Sequence, residues 1–440
     1  MSLTSLFKGG VSVPHCKNTT QMGTVKMSVP EEVVIPMLQH IGAPCKPVVK
    51  DGDMVKVGQV IGASDSFVSV PIHSSVSGVV KDISAMLYSN GTNVATVVIK
   101  TDGKQEVHED VKPPVYNSRE ELLTAIRDSG LVGLGGAGFP AHIKLNPPED
   151  KKIDTLVINA AECEPYITSD FREIIENPVN VIEGIEVVSK LLNVSNVVIG
   201  VEDNKPEAID LLKKLLSEKK GVLVKALKTR YPQGAEKMLI YSLTGRRVPI
   251  GKLPADIGVI VMNVTSIAFL AEYLKTGMPL IKKRITVDGS AIKNPGNVEV
   301  PIGTKVSDVF EFCGGFDKEP HKIIMGGPMM GIALFTMDMP VLKQTNALLA
   351  FDELAAKLPK ENACIRCGRC VTTCPMNLLP LHLDKAALRD DQEALKKFHI
   401  MDCIECGTCT YGCPAKINLV QSIRLGKEKV KKASQKNKAG

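Results

Sequence analysis

Eight of the twelve cysteines in this 440-residue chain fall into two runs of one spacing. Cys364, Cys367, Cys370 and Cys374 stand three, three and four positions apart, with Pro375 next. After 28 intervening residues, Cys403, Cys406, Cys409 and Cys413 repeat that spacing and Pro414 follows. Three close thiolates on one turn suit three irons of a 4Fe–4S cube, and the fourth, carried off by the Cys-Pro step, suits the other cube. The spacing therefore predicts two clusters with crossed ligation: 364, 367 and 370 with 413, and 403, 406 and 409 with 374. Zinc competes, because paired Cys-x2-Cys also makes four-thiolate zinc sites, but zinc does not require the third and fourth Cys of each run. Gly368 and Gly407 are expected to relieve crowding at the cubes. Such a pair moves single electrons and performs no bond chemistry alone. Cys16, Cys45, Cys163 and Cys313 lack ligand spacing and read as buried apolar side chains.

A second candidate site is the loop GLVGLGGAGFPAHIK (130–144). Gly133, Gly135, Gly136 and Gly138 permit close backbone approach and positive φ, which a flat or anionic ligand needs. The loop misses the spacing of both the Walker and the dinucleotide fingerprints, and a tight turn is the plain alternative.

These residues need elements to position them. The hydrophobic fraction of 44% and charged fraction of 23% are ordinary globular usage. The longest uncharged stretch, 83–99, is interrupted by polar residues and cannot span a bilayer. The N-terminus lacks the apolar core of a secretory signal. The net charge of +6 is concentrated in the Lys-rich segment 427–440, read as a solvated basic tail with weak attraction to anionic lipid. With no Trp and 4% aromatics, the rest offers no stacking platform, so nucleic acid is excluded as a partner.

Residues 30–100 are Val-rich and Gly-punctuated, and Phe67–Val70 and Gly78–Val80 read as short strands. The stretch 48–83 resembles the barrel-sandwich hybrid of biotinyl and lipoyl domains. No Lys lies between Lys56 and Lys81, so the swinging-arm function is absent and a docking or structural module is expected. From 116 to 270, buried strand-length runs at 153–160 and 196–202 alternate with helical patterns, which argues an α/β sheet covered on both faces. Ser118 followed by Glu121 opens the helix 119–128 as a capping box. Residues 283–316 return to β signals and resemble the soluble-ligand-binding β-grasp domain.

Three ordered motifs then carry a wider resemblance: the glycine loop, NAAECEPYI (159–167) and YPQGAEKMLIYSLTGRRVP (231–249), with VMNVTS (261–266) behind them. Together they resemble the NADH-oxidising 51-kDa-type flavoprotein subunit of respiratory complex I. That resemblance implies FMN held by Gly133, Gly135, Gly136, Gly138 and Lys144, the last meeting its phosphate. Asn159 and Glu162 would line the isoalloxazine pocket, and Asn263 would sit near the flavin phosphate. Phe139 would stack on the nicotinamide nucleotide, with Glu164 and Glu236 on its polar groups as the catalytic pair. Leu134 and Ala161 replace an Arg and an Asp common in that subunit, so local hydrogen bonding must differ.

The doubled cysteine run, the leading FKGGVSVPHCK (7–17) and the lysine-less barrel extend the resemblance to the C-subunit family of Rnf electron-transport complexes. It implies a multidomain α/β plus β fold. A barrel-sandwich hybrid falls in 1–115, a Rossmann-like FMN/NADH α/β domain in 116–274 and a β-grasp domain in 275–345. A helical two-cluster ferredoxin-like domain falls in 346–426, and the basic tail in 427–440. It also implies an NAD-facing subunit of a ferredoxin:NAD oxidoreductase coupled to Na⁺ or H⁺ translocation. The chain would lie peripherally on the cytoplasmic face of the cell membrane, with NADH and an iron–sulfur subunit of the complex as partners. The flavoprotein subunit of a soluble NAD-linked hydrogenase or formate dehydrogenase, and a non-enzymatic iron–sulfur relay scaffold, are the alternatives.

Overall fold

The computed structural model describes residues 7–88 and 91–439. After the short strand β1 (Thr24–Lys26), β2 (Glu32–Pro36), β3 (Lys46–Pro47), β4 (Met54–Val55), β5 (Val60–Ala63), β6 (Ile72–His73), β7 (Gly78–Leu87) and β8 (Asn93–Thr101) form two sheets. Their orders are β2-β8-β7-β4 and β3-β5-β6, all pairs antiparallel. Alternate residues such as Val33 and Ile35, or Val97 and Ile99, are buried in one core, as a period of two requires. Phe67–Val70 is not the strand expected. The chain turns outward after β5, leaving Phe67 76% exposed, and the Val68 carbonyl accepts from the Ala43 N–H (3.0 Å) in a loop contact.

The next unit contains α1 (Arg119–Asp128), α2 (Ala141–Lys144), β9 (Thr155–Ala160), α3 (Ser169–Glu176), α4 (Pro178–Leu192), β10 (Asn196–Glu202), α5 (Pro206–Leu215), β11 (Val222–Leu227), α6 (Glu236–Thr244), β12 (Val259–Asn263) and α7 (Val264–Thr276). Ser118 accepts from the Glu121 N–H at 3.1 Å and starts α1 as its sequence suggests. The four strands are parallel in the order β11-β10-β9-β12. In β9, Leu156 and Ile158 face the core shared with α4 and α7, whereas Val157 faces the core built with α6. Both faces are thus covered, and the strands read as continuous apolar runs for that reason. Helix α4 crosses α7 so closely that a Cβ on Gly184 would lie 2.1 Å from the Ile267 carbonyl oxygen. Only Gly fits there.

Strands β13 (Lys282–Asp288) and β14 (Gly296–Pro301) form one hairpin, and β15 (Lys322–Met325) and β16 (Ile332–Ala333) another, with α8 (Val306–Phe312) between. Strand β17 (Ala347–Phe351) lies between them, parallel to β13. This sheet runs past the boundary expected at 345 and also takes in β1, parallel to β14. The segment before the barrel therefore belongs partly to this third unit, because β14 otherwise ends the sheet with an unpaired edge.

The last unit is helical: α9 (Glu353–Ala356), α10 (Arg369–Thr373), α11 (Pro380–Leu388), α12 (Gln392–Lys397), α13 (Thr408–Tyr411) and α14 (Leu419–Ala439). Leu383, Ala387, Leu395, Ile400, Ile423 and Val430 make its core. The separate basic tail expected at 427 is not there as such: α14 runs through that boundary. Val430 is buried, and Lys427 Nζ donates to the Cys403 carbonyl (2.6 Å) and to Glu405 Oε1 (2.9 Å).

Candidate functional site

The two cysteine runs share one backbone. Arg366 and Glu405 have φ of 55° and 57°, Gly368 and Gly407 73° and 77°, and Asn377 and Lys416 54° and 60°. The N–H of Arg366 donates to Cys364 Sγ and that of Glu405 to Cys403 Sγ, both at 3.4 Å. Positive φ is one structural reason for glycine at 368 and 407: a Cβ at 368 would meet no protein atom within 4 Å, although at 407 it would lie 2.9 Å from the Met329 carbonyl oxygen.

Folding brings Cys374, the fourth Cys of the first run, to the triplet of the second, and Cys413 within electrostatic reach of Cys370. A cleft is lined by Cys374, Cys403, Cys406 and Cys409, with Leu378, Leu383 and Ile423 as apolar wall. Burial, with Cys406, Cys403 and Cys374 adding to it, pushes the Cys409 thiol up to about 12. Cys370 feels Cys413 in the same way. Four cysteines lining one cleft suit a cube of irons and sulfides. Metal binding would deprotonate these thiols, as thiolate ligation requires.

The glycine loop stands at the carboxyl end of the parallel sheet, where the strand order reverses between β9 and β12. Open α/β sheets bind ligands at such a switch point. Asn159 and Asn263 are register partners there. Asn263 caps α7, its Oδ1 accepting from the N–H groups of Thr265 and Ser266, and its Nδ2 donates to Asp170 Oδ2 at 2.7 Å. A Cβ on Gly135 would lie 2.9 Å from Asn263 Nδ2, so the loop rests on this cap. Gly135, Gly136 and Ala137 are exposed, and their N–H groups have no partner among the described residues. Gly133 closes the loop through its N–H to the Phe139 carbonyl (2.9 Å), leaving the Phe139 ring half-buried. Gly138 lies under the barrel domain, its carbonyl accepting from the Ile41 N–H at 3.0 Å.

Lys144 Nζ, on α2, donates to Glu236 Oε1 (2.8 Å) at the start of α6 and to the Val261 carbonyl (3.1 Å). Asn159 Nδ2 donates to the Gly234 carbonyl at 2.9 Å and ties the 231–236 loop to β9. Glu162 Oε1 accepts from the Asp170 N–H at 2.6 Å, whereas its Oε2 is buried without a partner. Burial raises that carboxyl, against the pull of Lys17 and Lys205. An orphaned buried acid oxygen, linked through Asp170 and Asn263 to a loop with an exposed row of N–H groups, suits a flat ligand rich in hydrogen-bonding groups. Leu134 is buried in the apolar core of the α/β unit, whereas Ala161 is buried among polar partners, its N–H donating to Asn159 Oδ1 (3.2 Å) and its carbonyl accepting from Lys205 Nζ (2.7 Å).

Glu164 is placed apart from this group. Its oxygens accept from the N–H groups of Met329 (3.0 Å) and Met330 (2.9 Å), in the turn between β15 and β16, with the Tyr231 hydroxyl at 3.5 Å. Burial pushes its carboxyl up to about 7. None of these bonds reaches the glycine loop; they clamp the hairpin of β15 and β16.

Two lysines that hold the 159–167 segment, the half-buried Lys17 and the buried Lys205, escaped the sequence reading. Lys17 Nζ donates to the carbonyls of Glu162 (2.8 Å), Glu164 (2.9 Å) and Ile167 (2.5 Å), and Lys205 Nζ to that of Ala161 (2.7 Å). They hold the NAAECEP loop, in which Glu162 has positive φ. Lys17 lies in the FKGGVSVPHCK motif, which was a signal that the segment mattered but not of what it touches.

Four family descriptions match successive parts of the chain: the RnfC barrel sandwich hybrid domain (5–104), the Nuo51 FMN-binding domain (126–272), the SLBB domain (284–333) and a 4Fe-4S dicluster domain (357–433). The chain is 47% identical over 439 residues to the C subunit of the proton-translocating ferredoxin:NAD(+) oxidoreductase complex of Clostridium ljungdahlii, covering 98% of this chain and 96% of that one. It is 46% identical over 432 residues to the Na(+)-translocating counterpart of Acetobacterium woodii, covering 96% and 97%. A chain of an NAD+-reducing NiFe hydrogenase in the air-oxidized state overlays with a TM-score of 0.50 at 17% identity, over 71% of this chain and 63% of that chain. That likeness is one of fold.

Proposed function

The chain belongs to the C-subunit family of ion-translocating ferredoxin:NAD(+) oxidoreductase complexes, and on that premise we propose that it is the NAD-facing electron relay of such a complex. One observation carries the reading: a glycine-loop site at a sheet switch point and a four-thiol cavity occur in one chain and are joined by direct contacts. FMN bound at the first would accept the paired electrons of a hydride and release them singly, as 4Fe–4S clusters require.

The chain's own residues divide the work. Gly133, Gly135, Gly136 and Gly138, with Asn159, Glu162 and Asn263, would hold the flavin. Lys144, now paired with Glu236, would supply positive charge for its phosphate. Phe139 would stack on the nicotinamide nucleotide, and Glu236 would meet its polar groups. Glu164 would serve by fixing the 329–330 turn. Cys364, Cys367, Cys370 and Cys413 would hold one cluster, and Cys403, Cys406, Cys409 and Cys374 the other. No helix among the described residues is long and apolar enough to cross a membrane. In this reading other subunits hold the chain at the cytoplasmic face of the membrane, move the ion, and include the iron–sulfur partner.

The test is anaerobic purification with both clusters intact. The protein is expected to retain noncovalent FMN, to bleach on addition of NADH and then to show reduced clusters by EPR. Intact clusters with no flavin and no NADH-dependent bleaching would leave only a relay scaffold.

A further inference from the structure

The two thiol sets meet the flavin domain unequally. Tyr231, 1% exposed, belongs to the 231–236 loop that Asn159 ties to β9. Its hydroxyl donates to the Cys406 carbonyl oxygen at 2.8 Å. The N-terminal strap, residues 7–17, reaches the same place. Val11 exchanges both backbone hydrogen bonds with Tyr231 (2.8 and 3.0 Å), and the Gly10 N–H donates to the Thr373 carbonyl at 2.8 Å. Gly9 lies so close to Cys374 that a Cβ would stand 2.8 Å from its carbonyl oxygen. From the other side, the turn clamped by Glu164 puts the Met329 carbonyl against Gly407, where a Cβ would meet it at 2.9 Å.

Apart from the Val11–Tyr231 pair, which joins the strap to the 231–236 loop, these contacts fall on, or directly beside, Cys374 and Cys406, which line one and the same cavity. In the other set, Cys364 and Cys367 are exposed. Electron transfer weakens steeply with the gap crossed and is favoured by a bonded path over empty space. Here the path from the flavin domain is covalent to the Tyr231 hydroxyl, crosses one hydrogen bond, and continues covalently through Cys406 to its sulfur.

We propose that electrons pass from the flavin domain first to the cluster of Cys374, Cys403, Cys406 and Cys409, and that Tyr231 is the positioning residue for this step. The inference rests on the functional reading above, since it needs a flavin donor and two clusters. In that step a flavin held in the α/β domain would give up one electron and a cluster held by these four cysteines would take it up; no bond on the chain forms or breaks. The second cluster, with its exposed thiolates, then lies on the far side, toward a partner.

The experiment uses the full chain, purified anaerobically with flavin and both clusters, and compares it with Tyr231→Phe, Cys403→Ala and Cys364→Ala. Rapid mixing with NADH follows flavin bleaching, and freeze-quenched EPR follows each cluster. Tyr231→Phe keeps the buried ring and removes the one hydrogen bond that bridges the path, so cluster reduction is expected to slow relative to the wild type. Flavin bleaching should keep its wild-type rate, and dithionite should still reduce both clusters fully, which a merely structural defect would not allow. Cys364→Ala should leave the remaining cluster reducible by NADH, whereas Cys403→Ala should isolate the remaining one. Wild-type cluster reduction in Tyr231→Phe, or the reverse pattern in the two Cys variants, overturns the inference. Should Cys403→Ala lose both clusters, the Tyr231→Phe rates decide alone. A wild-type chain that NADH does not bleach overturns the functional reading instead, which separates the two failures.

Discussion

The first and second cysteine runs are near copies in spacing and backbone, yet they lie in different surroundings. In the second run, Cys406 and Cys409 are buried, and Glu405 is paired with Arg424 (3.3 Å) and Lys427 (2.9 Å) of α14. In the first, Cys364 and Cys367 are exposed, Ile365 is 68% exposed, and Arg366, at the position of Glu405, is exposed as well. A repeated motif fixes how each loop presents its sulfurs. Where each cube sits, and what it can exchange electrons with, depends on what packs around the loop.

The largest effect concerns the crossing itself. Cys374→Ala is expected to remove or convert the buried cluster although it lies in the first run, and Cys413→Ala the exposed one. EPR and iron content check this: Cys374→Ala with Cys403→Ala should harm one cluster, and Cys374→Ala with Cys364→Ala both. The opposite result would mean that each run ligates its own cube.

Next comes Lys17→Met, which removes three hydrogen bonds to carbonyls of the NAAECEPYI segment. At about 1 kcal/mol for each lost bond, the loss is about 3 kcal/mol. Denaturant titration of flavin release measures it. The buried cluster's EPR signal should broaden while the exposed one's stays unchanged; equal disturbance of both would erase the asymmetry.

The pH dependence is smaller. Burial raises Glu164 from 4.5 to about 7, against the pull of the two N–H groups it accepts from. The folded state therefore binds this proton more tightly than the unfolded chain. The stabilisation is fully present below pH 4.5 and is lost as pH rises through about 7. Between pH 5 and 8, unfolding free energy should fall by roughly 2 kcal/mol from this group, and Glu164→Gln should flatten that slope. An unaltered slope in Glu164→Gln assigns it elsewhere.

Smallest is Lys427→Met, expected to cost about 1 kcal/mol through its bond to the Cys403 carbonyl. In cluster-free protein, thiol alkylation followed by mass spectrometry should label Cys364 and Cys367 ahead of Cys406 and Cys409. Lys427→Met should speed labelling of Cys403 alone. Equal labelling of both runs in the wild type would remove the contrast between them.

Local information in the sequence determined a good deal. The two Cys-x2-Cys-x2-Cys-x3-Cys-Pro runs, the Ser118 cap and the apolar strand runs each concern neighbours within a few residues, where spacing maps directly onto backbone geometry. The glycine loop as a stretch of close backbone approach was legible for the same reason, and so was the missing acceptor Lys of the barrel. The tertiary structure decided what depends on distant partners. Lys17 meets carbonyls 145 to 150 positions away, Lys144 meets Glu236 92 positions away, and Glu164 is drawn to a hairpin 165 positions on. No local pattern encodes such pairings, because a buried charge takes whichever partner the packed layers deliver. The basic segment after 426 misled for a related reason. Its charge suggested solvent, but Val430 and Lys427 found a buried face on one side of α14, and a helix face becomes visible only once something packs against it.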